Sequence, residues 1–198
     1  MRTPPALVPW LFALAAVLAG SLWHAGDRFA GLGHTIAMGN ASVGGPFVLT
    51  DQTGRTRSDR DFRGRYMLIY FGYTLCPDVC PTTLSVMADA LAKLGPRRDR
   101  IVPIFITIDP DRDRPKVLSE YLKAFGTDFV GLTGSPAAIR KVASSYRVYY
   151  AKHPLAQGYA LDHTSVLYLM GPDGKFVTFY NDESIGPDAL ATDLKKRL

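Results

Sequence analysis

Residues 66–83 read Tyr66-Met67-Leu68-Ile69-Tyr70-Phe71-Gly72-Tyr73-Thr74-Leu75-Cys76-Pro77-Asp78-Val79-Cys80-Pro81-Thr82-Thr83, joining a β-prone apolar run, a cysteine pair and the start of an amphipathic helix. The run 66–70 is apolar with almost no alternation, as expected of a strand buried on both faces. After the cysteines, Leu84, Met87, Leu91 and Leu94 fall on one helical face, and Gly95-Pro96 supplies the stop. Each cysteine precedes a proline, which biases both away from helical conformation. Cys80 is therefore expected to cap the helix, with Pro81 at its first position.

Downstream, residues 101–108 form a second nearly continuous apolar run. A helix is expected after Arg114-Pro115, with Leu118, Tyr121, Leu122 and Phe125 on one face. Another opens with Ser135 as N-cap and Pro136 in the first turn, carrying Ile139, Val142, Ala143 and Tyr146 at the same offsets. Strand signals return at 165–170 and 176–180, joined through Gly171-Pro172-Asp173-Gly174, a hairpin composition. A small antiparallel element is expected near 47–54 and a closing helix near 187–196. Helix and strand alternate and then end in a hairpin and a helix, which argues for an α/β sandwich, a mixed sheet covered by helices.

The chain has 198 residues, 47% of them hydrophobic, which argues against disorder; its two cysteines are too few for a disulfide-stapled scaffold. The net charge of +5 is spread along the chain without a basic block, so nucleic acid is not the expected partner. The composition averages two different polymers. Residues 6–23 are 18 apolar or small residues and span about 27 Å as a helix, enough to cross a bilayer. With Arg2 before this run, it is expected to act as an uncleaved anchor that leaves the following domain outside the cytoplasm. The rival reading is a cleaved signal peptide with Val17 and Ala19 before the cut. Leu18-Ala19-Gly20-Ser21 resembles a lipoprotein box, but serine in the cysteine's place excludes lipidation. The expected organisation is an anchor at 1–23, a glycine-rich tether at 24–45 and one folded domain at 46–198.

The cysteine pair lies between the first buried strand and its helix, where α/β folds place ligands. At a helix N-terminus both sulfurs are expected to gain thiolate character, with Asp78 opposing. A structural disulfide here would close too short a loop to stabilise much. Dithiol redox chemistry remains open, and so does metal binding: soft thiolates in a site with fewer than four ligands suit copper, once a third ligand is found. His24, His34, His153 and His163 are the candidates. His24 and His34 lie in the anchor flank and tether. His153 precedes Pro154 at the expected end of a strand, and His163 is expected on a loop before a strand, with Asp162 available to orient it. The run Asp109-Pro110-Asp111-Arg112-Asp113 clusters three carboxylates but reads as a strand end and a polar turn feeding the Pro115 helix. Tyr146, Tyr149 and Tyr150 read as packing and strand residues.

At these residues the chain resembles the Sco (SenC-type) family of copper-binding proteins. The matching pieces are Asp61-Phe62-Arg63-Gly64-Arg65, Tyr70-Phe71-Gly72-Tyr73, Cys76 to Cys80 with Pro81-Thr82-Thr83, Thr107-Ile108 with the Asp109–Asp113 run, and Asp162-His163-Thr164-Ser165. The resemblance implies a thioredoxin-like domain tethered by one membrane helix and binding a single copper ion, Cu(I) or Cu(II). Carried over residue by residue, the ligands are Cys76, Cys80 and His163. It further implies copper delivery to the dicopper (CuA) centre of cytochrome c oxidase subunit II or another copper protein, with a periplasmic donor upstream. As an alternative it implies thiol-disulfide reduction by Cys76 and Cys80 as the redox-active pair. The absence of an arginine-rich transit segment fits the inner membrane of a bacterium, with the domain facing the periplasm. A peroxiredoxin-like peroxidase is a third reading, prompted by Val79-Cys80-Pro81-Thr82, but the threonine those enzymes carry three residues before the reactive cysteine is here Pro77.

Overall fold

The computed structural model describes residues 43–126, 128–181 and 185–198. The apolar stretch 6–23, His24 and His34 lie outside them, and among the described residues no helix is long and apolar enough to cross a membrane.

Nine strands and four α-helices are formed by these residues. In chain order they are β1 (Val48–Asp51), β2 (Thr56–Ser58), β3 (Tyr66–Gly72), α1 (Val79–Ala92), β4 (Ile101–Thr107), α2 (Pro115–Leu122) and β5 (Val130–Thr133). There follow α3 (Pro136–Ser145), β6 (Tyr150–Pro154), β7 (Tyr159–His163), β8 (Val166–Met170), β9 (Phe176–Asn181) and α4 (Pro187–Arg197). Seven strands make one sheet in the order β2-β1-β5-β4-β3-β8-β9; β6 and β7 pair only with each other. β3, β4 and β5 run parallel, and β1, β2, β8 and β9 join antiparallel to their neighbours, so the sheet is mixed and covered by helices as expected.

The absence of alternation in β3 and β4 has its reason in the layers. Tyr70 and Phe105 are register partners and face α1 and α2, with Phe105 against Tyr121 and the Tyr70 hydroxyl toward Cys80. Phe71 faces the other way, against Tyr168 and against Tyr146 at the end of α3. All seven residues of β4 are buried. Pro103 is tolerated in this central strand because pairing with β5 starts only at Ile104, so the missing N–H interrupts no ladder on that side. The caps follow the sequence reading at α3, where Ser135 Oγ accepts the Ala138 N–H at 3.2 Å. Ahead of Pro46, the Gly44 N–H donates to the Ser145 carbonyl at 2.9 Å and Val43 packs against the core.

Two local expectations are corrected. α1 starts at Val79, with Asp78 in the N-cap position, so Cys80 and Pro81 lie inside the first turn rather than at the boundary. The turn accepts the proline because its first N–H groups have no intrahelical partner to lose. Residues 159–163 form β7, so His163 ends a strand of a separate ribbon and does not stand on a loop at the sheet rim.

Candidate metal centre

β3 delivers the site. Its last residue, Gly72, accepts the Ile108 N–H at its carbonyl, and a side-chain carbon there would stand 2.8 Å from Cys80 Sγ and 3.0 Å from the Phe105 ring. Only glycine lets the helix bring its sulfur this close to the strand. The loop then turns back on itself, the Cys76 N–H reaching the Tyr73 carbonyl at 3.2 Å. Thr74 pins it to β4 through Asp113, whose carboxylate accepts from Thr74 N at 3.0 Å, Thr74 Oγ1 at 2.6 Å and Thr107 Oγ1 at 2.6 Å. Asp113 and Asp109 are both fully buried, so the run read as a polar turn is an internal brace. Burial pushes the Asp113 carboxyl above its ordinary value, against the hydroxyl hydrogen bonds that favour its charge.

Cys76, Cys80 and His163 converge. Their ligand atoms lie within 4.8 Å of one another, and the Cys80 Sγ to His163 Nε2 distance is 3.5 Å. Both thiols are free, with Cys80 fully buried and Cys76 partly exposed. Cys76 Sγ accepts the Cys80 N–H at 3.4 Å, in the place where Asp78 supplies no side-chain cap. In the metal-free pair the two sulfurs do not titrate alike, so the thiolate character expected of both falls to Cys76 until a metal displaces the Cys80 proton. The Cys80 thiol hydrogen bond holds Cys76 down to about 3, with burial opposing and with His163 and the backbone N–H groups assisting. The same bond, together with burial, drives Cys80 upward, so one proton stays on the inner sulfur.

The His163 Nδ1 lies 3.1 Å from the Thr164 carbonyl, which can only accept, so Nδ1 carries the proton and Nε2 is the nitrogen presented to the sulfurs. The rings of Tyr70 and Tyr73 stand edge-on to the imidazole, each with its centroid 6.1 Å away. Asp162 does not orient His163. Neighbours on a strand point to opposite faces, and Asp162 instead pairs with His153 at 2.7 Å on the exposed side of the ribbon. His153 sits in β6, as its setting before Pro154 suggested, and takes no part in the cluster.

The sequence reading missed Gly72, Tyr70 and Tyr73 as site walls, and Asp109, Arg112, Asp113 and Tyr159 as its supports. The available signals were the density of carboxylates after an unbroken apolar run and the presence of Tyr70 to Tyr73 and Asp109 to Asp113 among the pieces that carry the family resemblance; Tyr159 had none.

The SCO1/SenC family model matches residues 36–198. The human mitochondrial SCO1 homolog is 43% identical over 148 residues, 72% of this chain and 49% of that protein. An SCO2-like protein of Rickettsia felis is 44% identical over 149 residues, 73% of each. The chain spans about half the length of the human and mouse relatives it matches. Among solved structures, Bradyrhizobium japonicum ScoI with copper bound is 46% identical, with a TM-score of 0.74 over 79% of this chain and 100% of that one.

Proposed function

This chain belongs to the SCO1/SenC family, and from that premise we propose that it is a copper chaperone of cytochrome c oxidase assembly, holding one copper ion on Cys76, Cys80 and His163. The observation that carries the reading is the convergence of two sulfurs and one imidazole nitrogen within 4.8 Å, with the imidazole tautomer fixed from outside. Two thiolates and one imidazole are a soft donor set short of four ligands, which fits copper in either oxidation state and leaves a side for an incoming ligand. Copper is cargo in this reading, passed by ligand exchange to the CuA centre of subunit II. Residues 6–23 anchor the chain in a bacterial inner membrane with the domain in the periplasm.

The test is copper stoichiometry and spectrum of the full chain with each of the three residues replaced in turn. Wild type should bind about one copper per chain, with thiolate-to-copper absorption in the Cu(II) form. Cys76→Ser and Cys80→Ser should lose that absorption and stoichiometric binding. His163→Ala should keep Cu(I) and change the Cu(II) spectrum. An unaltered spectrum in His163→Ala would sink the three-ligand site.

A second reading has its own observation, the half-exposed Cys76 thiolate beside a protonated Cys80. Cys76 attacks a partner disulfide, forming a mixed disulfide and releasing one partner sulfur, which takes up the Cys80 proton. Cys80 then displaces the second partner sulfur and closes the Cys76–Cys80 disulfide, leaving the partner with both thiols reduced. This activity should survive His163→Ala and be lost in both cysteine variants, which separates it from copper transfer.

A further inference from the structure

The ribbon that carries His163 shares no ladder with the seven-stranded sheet, so something other than strand pairing must hold the imidazole beside the sulfurs. Tyr159, Leu161 and His163 alternate along β7 and face the body of the domain. His163 sits at one end of that face and Tyr159 at the other. The Arg112 guanidinium lies 3.8 Å over the Tyr159 ring, donates Nη1 to the Tyr159 carbonyl at 3.0 Å, and donates Nε to Asp109. The Tyr159 hydroxyl donates to the other Asp109 oxygen at 2.6 Å. Asp109 is fully buried, and its own N–H is held by Thr107 Oγ1 at 2.9 Å. Midway along β7, the buried Leu161 donates its N–H to the Tyr73 hydroxyl at 3.4 Å, and Arg112 also reaches over the Tyr73 ring at 5.9 Å. Tyr150 and Tyr159 also pack at the edge of the core, while a further polar tie, Lys152 to Asp111 at 3.1 Å, is exposed on both sides and contributes little.

We infer that Arg112, acting with Asp109 and Tyr159, is a positioning residue that latches the β6–β7 ribbon to the cysteine loop and so sets the approach of His163 to the two sulfurs. The inference rests on the reading of His163 as the third ligand. The loop Asp109–Asp113 thereby braces both halves of the centre: Asp113 holds the cysteine loop through Thr74, and Asp109 with Arg112 holds the histidine ribbon through Tyr159. Charge-assisted, partly buried hydrogen bonds are the strong directional ones, and here they converge on one guanidinium. Lysine cannot replace it, since an ammonium offers neither the planar face that stacks on Tyr159 nor a fork fixed toward two acceptors.

The experiment compares Arg112→Lys, the milder Tyr159→Phe and the control Lys152→Ala in the full chain. In the metal-free protein, hydrogen exchange of peptides covering 159–163 should rise by about tenfold or more in Arg112→Lys and less in Tyr159→Phe, with β3 and β4 peptides unchanged. In the copper-loaded protein, the Cu(II) spectrum of Arg112→Lys should shift toward that of His163→Ala while Cu(I) stoichiometry stays at wild type. Lys152→Ala should match wild type in both. Wild-type exchange at 159–163 in both latch variants would overturn the proposal, and so would an equal rise across β3 and β4. If His163→Ala leaves the wild-type spectrum unaltered, the ligand reading fails, and the metal-free exchange still decides the latch.

Discussion

Cys80 and His163 face each other across 3.5 Å, yet they are carried by regions of unlike construction. The cysteine loop grows from β3, where six of seven residues are buried, and α1 starts against that strand so tightly that Gly72 admits no side chain. The histidine ribbon lies outside the sheet, with Leu161 as the one fully covered residue among the ten of its two strands. One region draws its geometry from close packing on every side, the other from one buried leucine, two tyrosines at the core's edge and a few directional polar contacts. Close packing resists displacement in every direction, whereas a hydrogen-bonded ribbon can be released by breaking one group. In the proposed chaperone role, which requires copper to be both taken up and released, one donor would then stand on each kind of support.

The comparison can be broken most severely in the body. Phe105→Ala removes a fully buried ring between β3 and α2 and should cost about 3–5 kcal/mol, read as a lowered midpoint in urea unfolding. An effect near that of a surface substitution would mean that the sheet does not carry the cysteine side. Gly72→Ala should cost about 1–3 kcal/mol, because the new carbon meets Cys80 Sγ, and it should impair copper binding beyond the loss of stability. Unchanged copper binding in that variant would show that the sulfur position is not set by this contact.

A smaller effect follows from the sulfurs. Below the ordinary thiol range near about 8.5 the unfolded chain keeps both protons, while the folded pair keeps one down to about 3. The folded state therefore binds fewer protons across that window, and the metal-free protein should gain stability as pH rises from about 4 to 8. Above about 9 the unfolded chain loses both protons while Cys80 retains its own, and the gain should reverse. Cys76→Ser should flatten the wild-type profile relative to this trend; parallel profiles for the two proteins would refute the shared proton. The smallest effect belongs to the other histidine. His153→Ala breaks an exposed pair with Asp162 and should change stability by no more than about 0.5 kcal/mol, with wild-type copper stoichiometry and spectrum. Loss of copper there would reassign the third ligand.

Much of the cysteine side was legible. Unbroken apolar runs at 66–70 and 101–108 mark strands buried on both faces, because a residue facing either helix layer must be apolar. The helix faces of Leu84, Met87 and Leu91 and of Ile139, Val142 and Ala143 point inward as their spacing requires. The ribbon was not legible, since Tyr159 to His163 has too short and mixed a pattern to separate a strand from a loop. Asp162 looked like the partner of His163 by adjacency, and strand geometry turned it to the other face.

The sequence by itself determined the two buried central strands β3 and β4, the closing hairpin, the helices and the identity of a two-sulfur site, because periodicity and a cysteine pair at a strand end are local facts; it did not determine β5 or the strand order. It could name His163 only through the resemblance to a family. The tertiary structure alone decided that His163 and not His153 meets the sulfurs, that burial and their mutual hydrogen bond push the two thiols in opposite directions, and that Asp109, Arg112 and Asp113 are internal braces. Each of these depends on burial and on contacts between residues far apart in the chain, and a carboxylate written in sequence carries no mark of whether it will face water or a buried hydroxyl.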